Sequence, residues 1–406
     1  MTFFVTGLLA REWVETGTSR PSEPVWVVNT ISDNQLEISF DLGGYFVEDL
    51  ANGKNKITFP GGVPNLEVGT PDLPKMAQSI IIPDLAHMEL SIVESEFVEI
   101  FMENLISSKG NLTRNINPAS VPYTFGQAYE TDEFYPQDIV FMRNPYIMRT
   151  VRGQAIVFQP IQYNPIQRTL RVYSHIKVNI QQNGMSQINP LTRRPDKGGS
   201  REFENIYAEH FLNYSTNSRY ELLGEEGPML VVCYGEFMES MQPFVDWKNY
   251  KGILTEMVDV ADIGGSDEIE AFVETKYYDD GIAFVLFVGD IDQIPSPRYS
   301  DGAGSNSPAD PSYGFVAGSD YYPEIIIGRF SAENTSHVET MINRTIEYEM
   351  DPDPTADWYK KGSGFASDQG PGDDGELDYE HLDNIRDDLL GFTYVEVDQI
   401  YDPSGT

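Results

Sequence analysis

Residues 281–290 read Gly-Ile-Ala-Phe-Val-Leu-Phe-Val-Gly-Asp, and residues 318–330 read Gly-Ser-Asp-Tyr-Tyr-Pro-Glu-Ile-Ile-Ile-Gly-Arg-Phe. An apolar run closed by Gly-Asp and set between helical stretches predicts a strand buried on both faces, as in the middle of a parallel sheet. Sites in such sheets lie beyond the carboxyl ends of the strands, which singles out Asp290. The second stretch places two carboxylates, Asp320 and Glu324, around a turn that enters another apolar strand.

Outward from that centre, strands and helices alternate. Strands are predicted at 229–234, 253–258, 282–288, 325–327, 363–367 and 394–400. Helices are predicted near 236–251, 267–278, 335–350 and 379–390, the last capped by Gly391. This alternation predicts a doubly wound, mostly parallel α/β unit over residues 229–406. Residues 25–190 differ: short β-type segments at 25–29, 35–41, 88–93 and 169–180 are divided by turns, and the last alternates apolar with polar residues. They predict an antiparallel β-sandwich. Residues 191–228 read as a polar linker with a helix-like piece ending near Tyr214, and Arg219-Tyr220 within it offers a bond open to proteases. Residues 1–24 carry no assignment.

The chain has a formal net charge of −37, and residues 229–406 hold 37 Asp/Glu against nine Lys/Arg. Such a surface repels phosphates and anionic membranes, which argues against nucleic acid and anionic membranes as partners. It suits cations, basic peptides or simply a saline solvent. No stretch approaches the roughly 18 apolar residues of a membrane span. The N-terminus lacks the basic segment of a signal peptide, so the chain either stays inside the cell or is incomplete at its start.

One cysteine, Cys233, rules out an intrachain disulfide and a multi-cysteine zinc site. Its apolar strand, residues 229–234, predicts a buried structural thiol. His87, His175, His210, His337 and His381 sit in contexts that predict structural roles. Gly-x-Ser-x-Gly, Walker and dinucleotide fingerprints are missing, so the chain holds no complete nucleophile–base pair. Carboxylates carry the remaining chemistry. Asp290, Asp320 and Glu324 are hard oxygen ligands suited to calcium, with a solvated acidic loop as the alternative. A second acidic, glycine-rich loop runs over residues 366–381. There Asp378 either receives a cationic substrate group or serves as a helix N-cap, and spacing leaves both open.

Several short stretches, in collinear order, resemble one family. GTPDLP (69–74), INPASVPYTFGQ (116–127), VRGQ (151–154), QYNP (162–165) and TLRVY (169–173) are similar to the propeptide of the gingipain-type cysteine endopeptidases. FVDWKN (244–249), VGD (288–290), IGRFS (327–331) and RTIEY (344–348) are similar to the first part of their caspase-like peptidase domain. The resemblance runs from about residue 35 to the end.

It implies a secreted zymogen, extracellular or on the cell surface, in which a β-sandwich propeptide covers an α/β peptidase stabilised by calcium. Asp320, Tyr322 and Glu324 match the family's calcium loop, with Asp290, Glu376 and His381 as further matches. Asp378 matches the carboxylate that holds a substrate arginine, so the implied partners are proteins or peptides with Arg at the cleavage site. A buried carboxylate there favours the bidentate guanidinium over an ammonium group. Arg219-Tyr220 falls where the family separates propeptide from enzyme. The family's catalytic His and Cys follow the strand matched by residues 394–400. Both are therefore expected beyond Thr406, and neither maps onto this chain. Gln369 stands where the family has a Glu near the active site. Arg114, just before the matched Asn-Pro segment, is expected to enter the Asp378 pocket as an inhibitory substitute for substrate. The competing readings are a non-catalytic cell-surface binding protein on the same scaffold, and an intracellular caspase-like regulator.

Overall fold

The computed structural model describes the chain except residues 1–10, 51–52, 114–115, 198, 215–225, 301–305, 371–375 and 403–406. Arg114, Arg219, Tyr220 and Thr406, on which the inhibitory, processing and chain-end expectations rest, lie outside the described residues.

The N-terminal half is a sandwich of antiparallel sheets, as its alternating strands predict. Strand Gln35–Asp41 alternates buried with half-buried side chains along its whole length. It pairs with the long strand Thr169–Met185, which also pairs with Ala86–Phe101 and with Ile161–Asn164. Facing this sheet is a second, in which Val151–Phe158 lies between Tyr146–Met148 and Pro74–Ile82. Ile38, Phe40, Ile80, Ile156, Phe158, Ile176 and Val178 close the core between them. Phe40 and Phe158 stack across it, centroids 5.0 Å apart. Burying so many branched and aromatic side chains, at about 1.5–3 kcal/mol each, gives the unit a core of its own.

The helix-like piece of the linker is a true helix, α1 (Arg201–His210). Its register puts Phe203 and Tyr207 on one buried face, with Phe211 following one turn later. These rings pack on Tyr146 and Met148, and Phe211 bridges Ser79 at the sheet edge. This segment is therefore part of the sandwich rather than a free connector.

The C-terminal half holds a four-stranded parallel sheet in the order Thr255–Asp259, Met229–Cys233, Phe284–Val288, Ile326–Phe330. Helices α2 (Met238–Tyr250) and α4 (Thr335–Met350) cover one face, where Val231, Cys233, Leu286 and Val288 point. Helix α3 (Ser266–Asp280) covers the other, over Leu230, Val232, Val285 and Phe287. Two-sided burial explains why the two central strands, Met229–Cys233 and Phe284–Val288, read as unbroken apolar runs. The final unit departs from the expected single sheet. Lys361–Ser367 and Glu396–Asp402 pair with each other in parallel and form a separate two-stranded sheet. Between them lies α5 (Asp378–Phe392), which runs past Gly391 instead of ending there. Gly391 meets no atom within 4 Å of where a Cβ would stand, so no close approach or left-handed cap demands a glycine.

The halves share an apolar and hydrogen-bonded surface at the N-terminal edge of the four-stranded sheet. Ile147, Leu191 and Ala317 form one small buried cluster, and Tyr322 packs on the aromatic cluster of α1. Asn189 Oδ1 accepts from the Ser319 backbone N–H at 2.9 Å and from its hydroxyl at 3.0 Å.

Candidate active site

Strand Lys361–Ser367 delivers Ser367 to its C-terminal end, and the loop returns to start α5 at Asp378. The Ser367 hydroxyl donates to Asp378 Oδ2 at 2.7 Å. The Gln369 backbone N–H donates to Ser367 Oγ at 3.2 Å, and the Asp378 N–H donates to the Gln369 carbonyl at 2.9 Å. Asp378 is the first residue of the helix, not its cap. The capping role falls to Glu380, whose Oε2 accepts from the Leu377 N–H at 2.9 Å. The N-cap alternative for Asp378 is thereby set aside. Its half-buried carboxylate is held at a strand's C-terminal rim, where the first turn of a helix favours negative charge. An open depression lined by Phe365, Ser367, Ile400, Tyr401 and Asp402 adjoins this rim.

The six residues matched to calcium sites fall in three places. Asp320, Tyr322 and Glu324 share the loop that enters strand Ile326–Phe330, at the N-terminal edge of the sheet. Glu324 is fully buried. Its Oε2 accepts from the N–H groups of Val316 and Ala317 at 2.8 and 2.9 Å. Its Oε1 is buried without a hydrogen-bond partner, the Arg149 N–H lying near enough to favour the ionised form. Burial pushes this carboxyl up to about 8. Asp320, also raised by burial, accepts from the N–H groups of Ile147 at 2.9 Å and Tyr322 at 3.0 Å.

Asp290 stands at the opposite rim, past the C-terminus of strand Phe284–Val288, five residues or ~16 Å of strand away. It accepts from the Ser331 hydroxyl at 2.7 Å, which lowers its pKa. Glu376 and His381 form their own pair at 3.0 Å beside α5. Among the described residues no three His, Cys, Asp or Glu side chains converge as a metal cluster. What the loop offers a hard cation is Glu324 Oε1, which has no hydrogen-bond partner, with the Asp320 carboxylate acting on the same group. That is a partial oxygen shell, chemically suited to calcium.

Cys233 behaves as its strand predicts. It is fully buried, burial pushes its thiol up to about 12, and its Sγ contacts the Tyr234 carbonyl at 3.4 Å. The imidazoles of His175, His210, His337 and His381 are bound elsewhere, to Asp41, Tyr146, Asn334 and Glu376. Among the described residues no imidazole hydrogen-bonds the Cys233 thiol.

Two side chains of consequence escaped the sequence reading. Arg329, inside IGRFS, makes a bidentate pair with Asp310 at 2.7 Å and donates to the carbonyls of Gly289 and Ile294. It fixes the turn that carries Asp290. Arg149 lies fully buried where the two halves meet. The IGRF match pointed at the first, whereas Met-Arg-Thr-Val around Arg149 carries no local signal.

Comparison with known proteins agrees with this architecture. The family model Propeptide_C25 matches residues 39–219, and Peptidase family C25 matches residues 223–404. Gingipain R2 of Porphyromonas gingivalis is 36% identical over 361 residues, covering 86% of this chain and 48% of that protein. Lys-gingipain of the same species is 27% identical over 321 residues, 75% of this chain and 18% of that one. The chain thus spans about half the length of Gingipain R2. A complex of Porphyromonas gingivalis RgpB pro- and mature domains matches 47% of this chain and 98% of that chain at 31% identity, with a TM-score of 0.42. The chain belongs to peptidase family C25, with a family propeptide over residues 39–219 joined to a family peptidase unit over residues 223–404.

Proposed function

We propose that this chain belongs to the precursor of a secreted or cell-surface cysteine endopeptidase that cleaves after arginine and is held latent by its propeptide. The observation that carries the reading is Asp378: a carboxylate tied to Ser367 at a strand's C-terminal rim, with helix capping left to Glu380. A guanidinium entering there meets two carboxylate oxygens in a planar fork, a geometry an ammonium cannot match. Gingipain R2 gives the higher identity of the two relatives, 36% against 27% for Lys-gingipain, which favours arginine.

In this reading a thiolate attacks the scissile carbonyl, an imidazole protonates the leaving amine, and backbone amides hold the oxyanion. Cys233 is too buried for the first task, so the reading does not assign the nucleophile to it. In the same reading Asp320 and Glu324 would hold calcium, whose charge would favour the ionised Glu324 carboxylate. The propeptide blocks the rim through Arg114, and cutting at Arg219-Tyr220 matures the enzyme.

The test is to express the complete gene product and assay peptide amides with Arg, Lys or Ala before the scissile bond. Cleavage after Arg at least tenfold better than after Lys is expected. No thiol-dependent cleavage of any of the three would discard the reading. The single core cysteine favours one rival, a scaffold kept for binding alone. That rival predicts no residue of the complete protein alkylated by an arginine chloromethyl ketone.

A further inference from the structure

The strands Tyr146–Met148 and Val151–Phe158 of the propeptide form a hairpin closed by the two residues Arg149 and Thr150. Arg149 has φ +51, a left-handed conformation unusual for a side-chain-bearing residue and retained only where surroundings enforce it. Here the surroundings belong to the peptidase unit. The guanidinium is completely buried and donates to three of that unit's backbone carbonyls: Nη1 to Ile282 at 2.9 Å and to Glu324 at 3.0 Å, Nη2 to Gly281 at 2.8 Å.

Gly281 caps the C-terminus of α3, so the socket also receives the negative end of a helix dipole. Tyr277 adds its ring below the guanidinium and donates its hydroxyl to the Arg149 carbonyl at 3.0 Å. From the propeptide side Phe203 covers the cation, and Tyr207 meets Thr150. The Lys197 carbonyl presses on Gly281 so closely that a Cβ there would sit 1.8 Å from it. Glu324 and Glu202 are the carboxyl groups that act on the guanidinium.

We propose that Arg149 and this carbonyl socket are the anchor that keeps the propeptide on the peptidase unit after the linker is cut, separately from whatever blocks the rim at Asp378. The socket stands at the N-terminal edge of the four-stranded sheet, whereas Asp378 stands at a strand's C-terminal end. The ligand class is a guanidinium presented by a strained hairpin turn. A buried arginine with several hydrogen bonds, ringed by aromatics that exclude water, has the composition of a binding hot spot. Losing it leaves carbonyls without donors, and such losses act mainly on the dissociation rate. Anchoring extends the latency reading above, yet its readout, retention of one piece on the other, needs no peptidase activity. An inactive protein would therefore sink that reading while leaving the anchor standing.

The experiment uses the full chain carrying a specific protease recognition sequence within residues 215–225. After cutting, wild type is expected to migrate as one complex. Arg149→Met, which keeps the apolar stem, is expected to release the propeptide roughly 30-fold faster. Arg149→Lys should fall between, because one ammonium cannot span the three carbonyls. Cut Arg149→Met held as tightly as wild type would overturn the proposal. If Arg149→Met fails to unfold cooperatively, Arg149→Ala is refolded with and without millimolar ethylguanidinium. Restored retention that equimolar sodium chloride does not reproduce supports the socket, and no restoration overturns it.

Discussion

Tyr146 of the propeptide lies flat on Tyr322 of the peptidase unit, ring centroids 3.8 Å apart and planes 14° from parallel. Beside this stack the contact continues through a different chemistry. The Ile147 N–H donates to Asp320, two residues before Tyr322. The loop matched to calcium is therefore also the seat of the propeptide, and the two roles are tied through the same backbone. Anything that loosens this loop is expected to loosen the propeptide with it.

Replacing Tyr322 by Ala should lower stability by about 2 kcal/mol, and Tyr146 by Ala by a similar amount, from lost apolar burial. The double variant should cost less than the sum by about 1 kcal/mol, the contribution of a stacked pair beyond its area. Urea unfolding of the four proteins measures this coupling. Strict additivity would show that the rings only happen to lie together.

Glu324 gives a prediction for metal and pH together. Its carboxyl rises from 4.5 unfolded to about 8 folded, so the folded state holds a proton that the unfolded state has lost. Metal-free stability is then full below pH 4.5 and falls as pH rises toward 8. Were calcium held by Asp320 and Glu324, it would displace that proton and reverse the fall. At pH 8, calcium should raise the melting temperature of wild type by several degrees over chelator, and Glu324→Gln should respond far less. Equal melting curves with calcium and with chelator would remove calcium from this loop.

Most of the fold was legible in the sequence because its strands are shaped by burial alone. Residues 284–288, buried on both faces, are apolar throughout, and residues 35–41 alternate because only one face is buried. The last strand pair misled for a related reason. Residues 361–367 contain two glycines and leave Phe365 exposed, so they lack the apolar run that would place them in the main sheet. The site was legible only in pieces. Asp320 and Ile147 are 173 residues apart, and no local pattern announces that a strand edge will meet that carboxylate. The same holds for Arg149, whose three acceptors are backbone carbonyls and so have no residue type to recognise.

Asp378→Asn, in the complete protein, should cut kcat/KM for arginine substrates at least 100-fold, because a neutral amide cannot make the charge-assisted fork. Asp378 is half-buried and its Ser367 bond sits at the rim, so folding stability should change by less than about 1 kcal/mol. Kinetics with arginine and alanine substrates separate the two effects. An equal loss on both substrates would assign Asp378 to loop structure and take specificity elsewhere.

Glu349 on α4 closes on α2 through three donors. Lys248 Nζ stands at 2.6 Å, Lys251 Nζ at 2.9 Å and the Trp247 indole N–H at 2.9 Å. Despite partial burial, which opposes ionisation, these donors hold the carboxyl down at about 2. A folded pKa below the unfolded 4.5 adds stability that is present above pH 4.5 and lost as pH falls toward 2. Lys248 is largely buried while Lys251 is a third exposed, so solvent screens part of the gain and about 2 kcal/mol remains. Glu349→Gln should lose that amount at pH 7 and flatten the acid limb between pH 4.5 and 2, read by unfolding at fixed urea. Lys251→Met should lose much less than Lys248→Met, since solvent screens the more exposed of the two pairs. If the two lysine variants prove equal, the clasp draws its strength from the tryptophan N–H and from packing between α2 and α4.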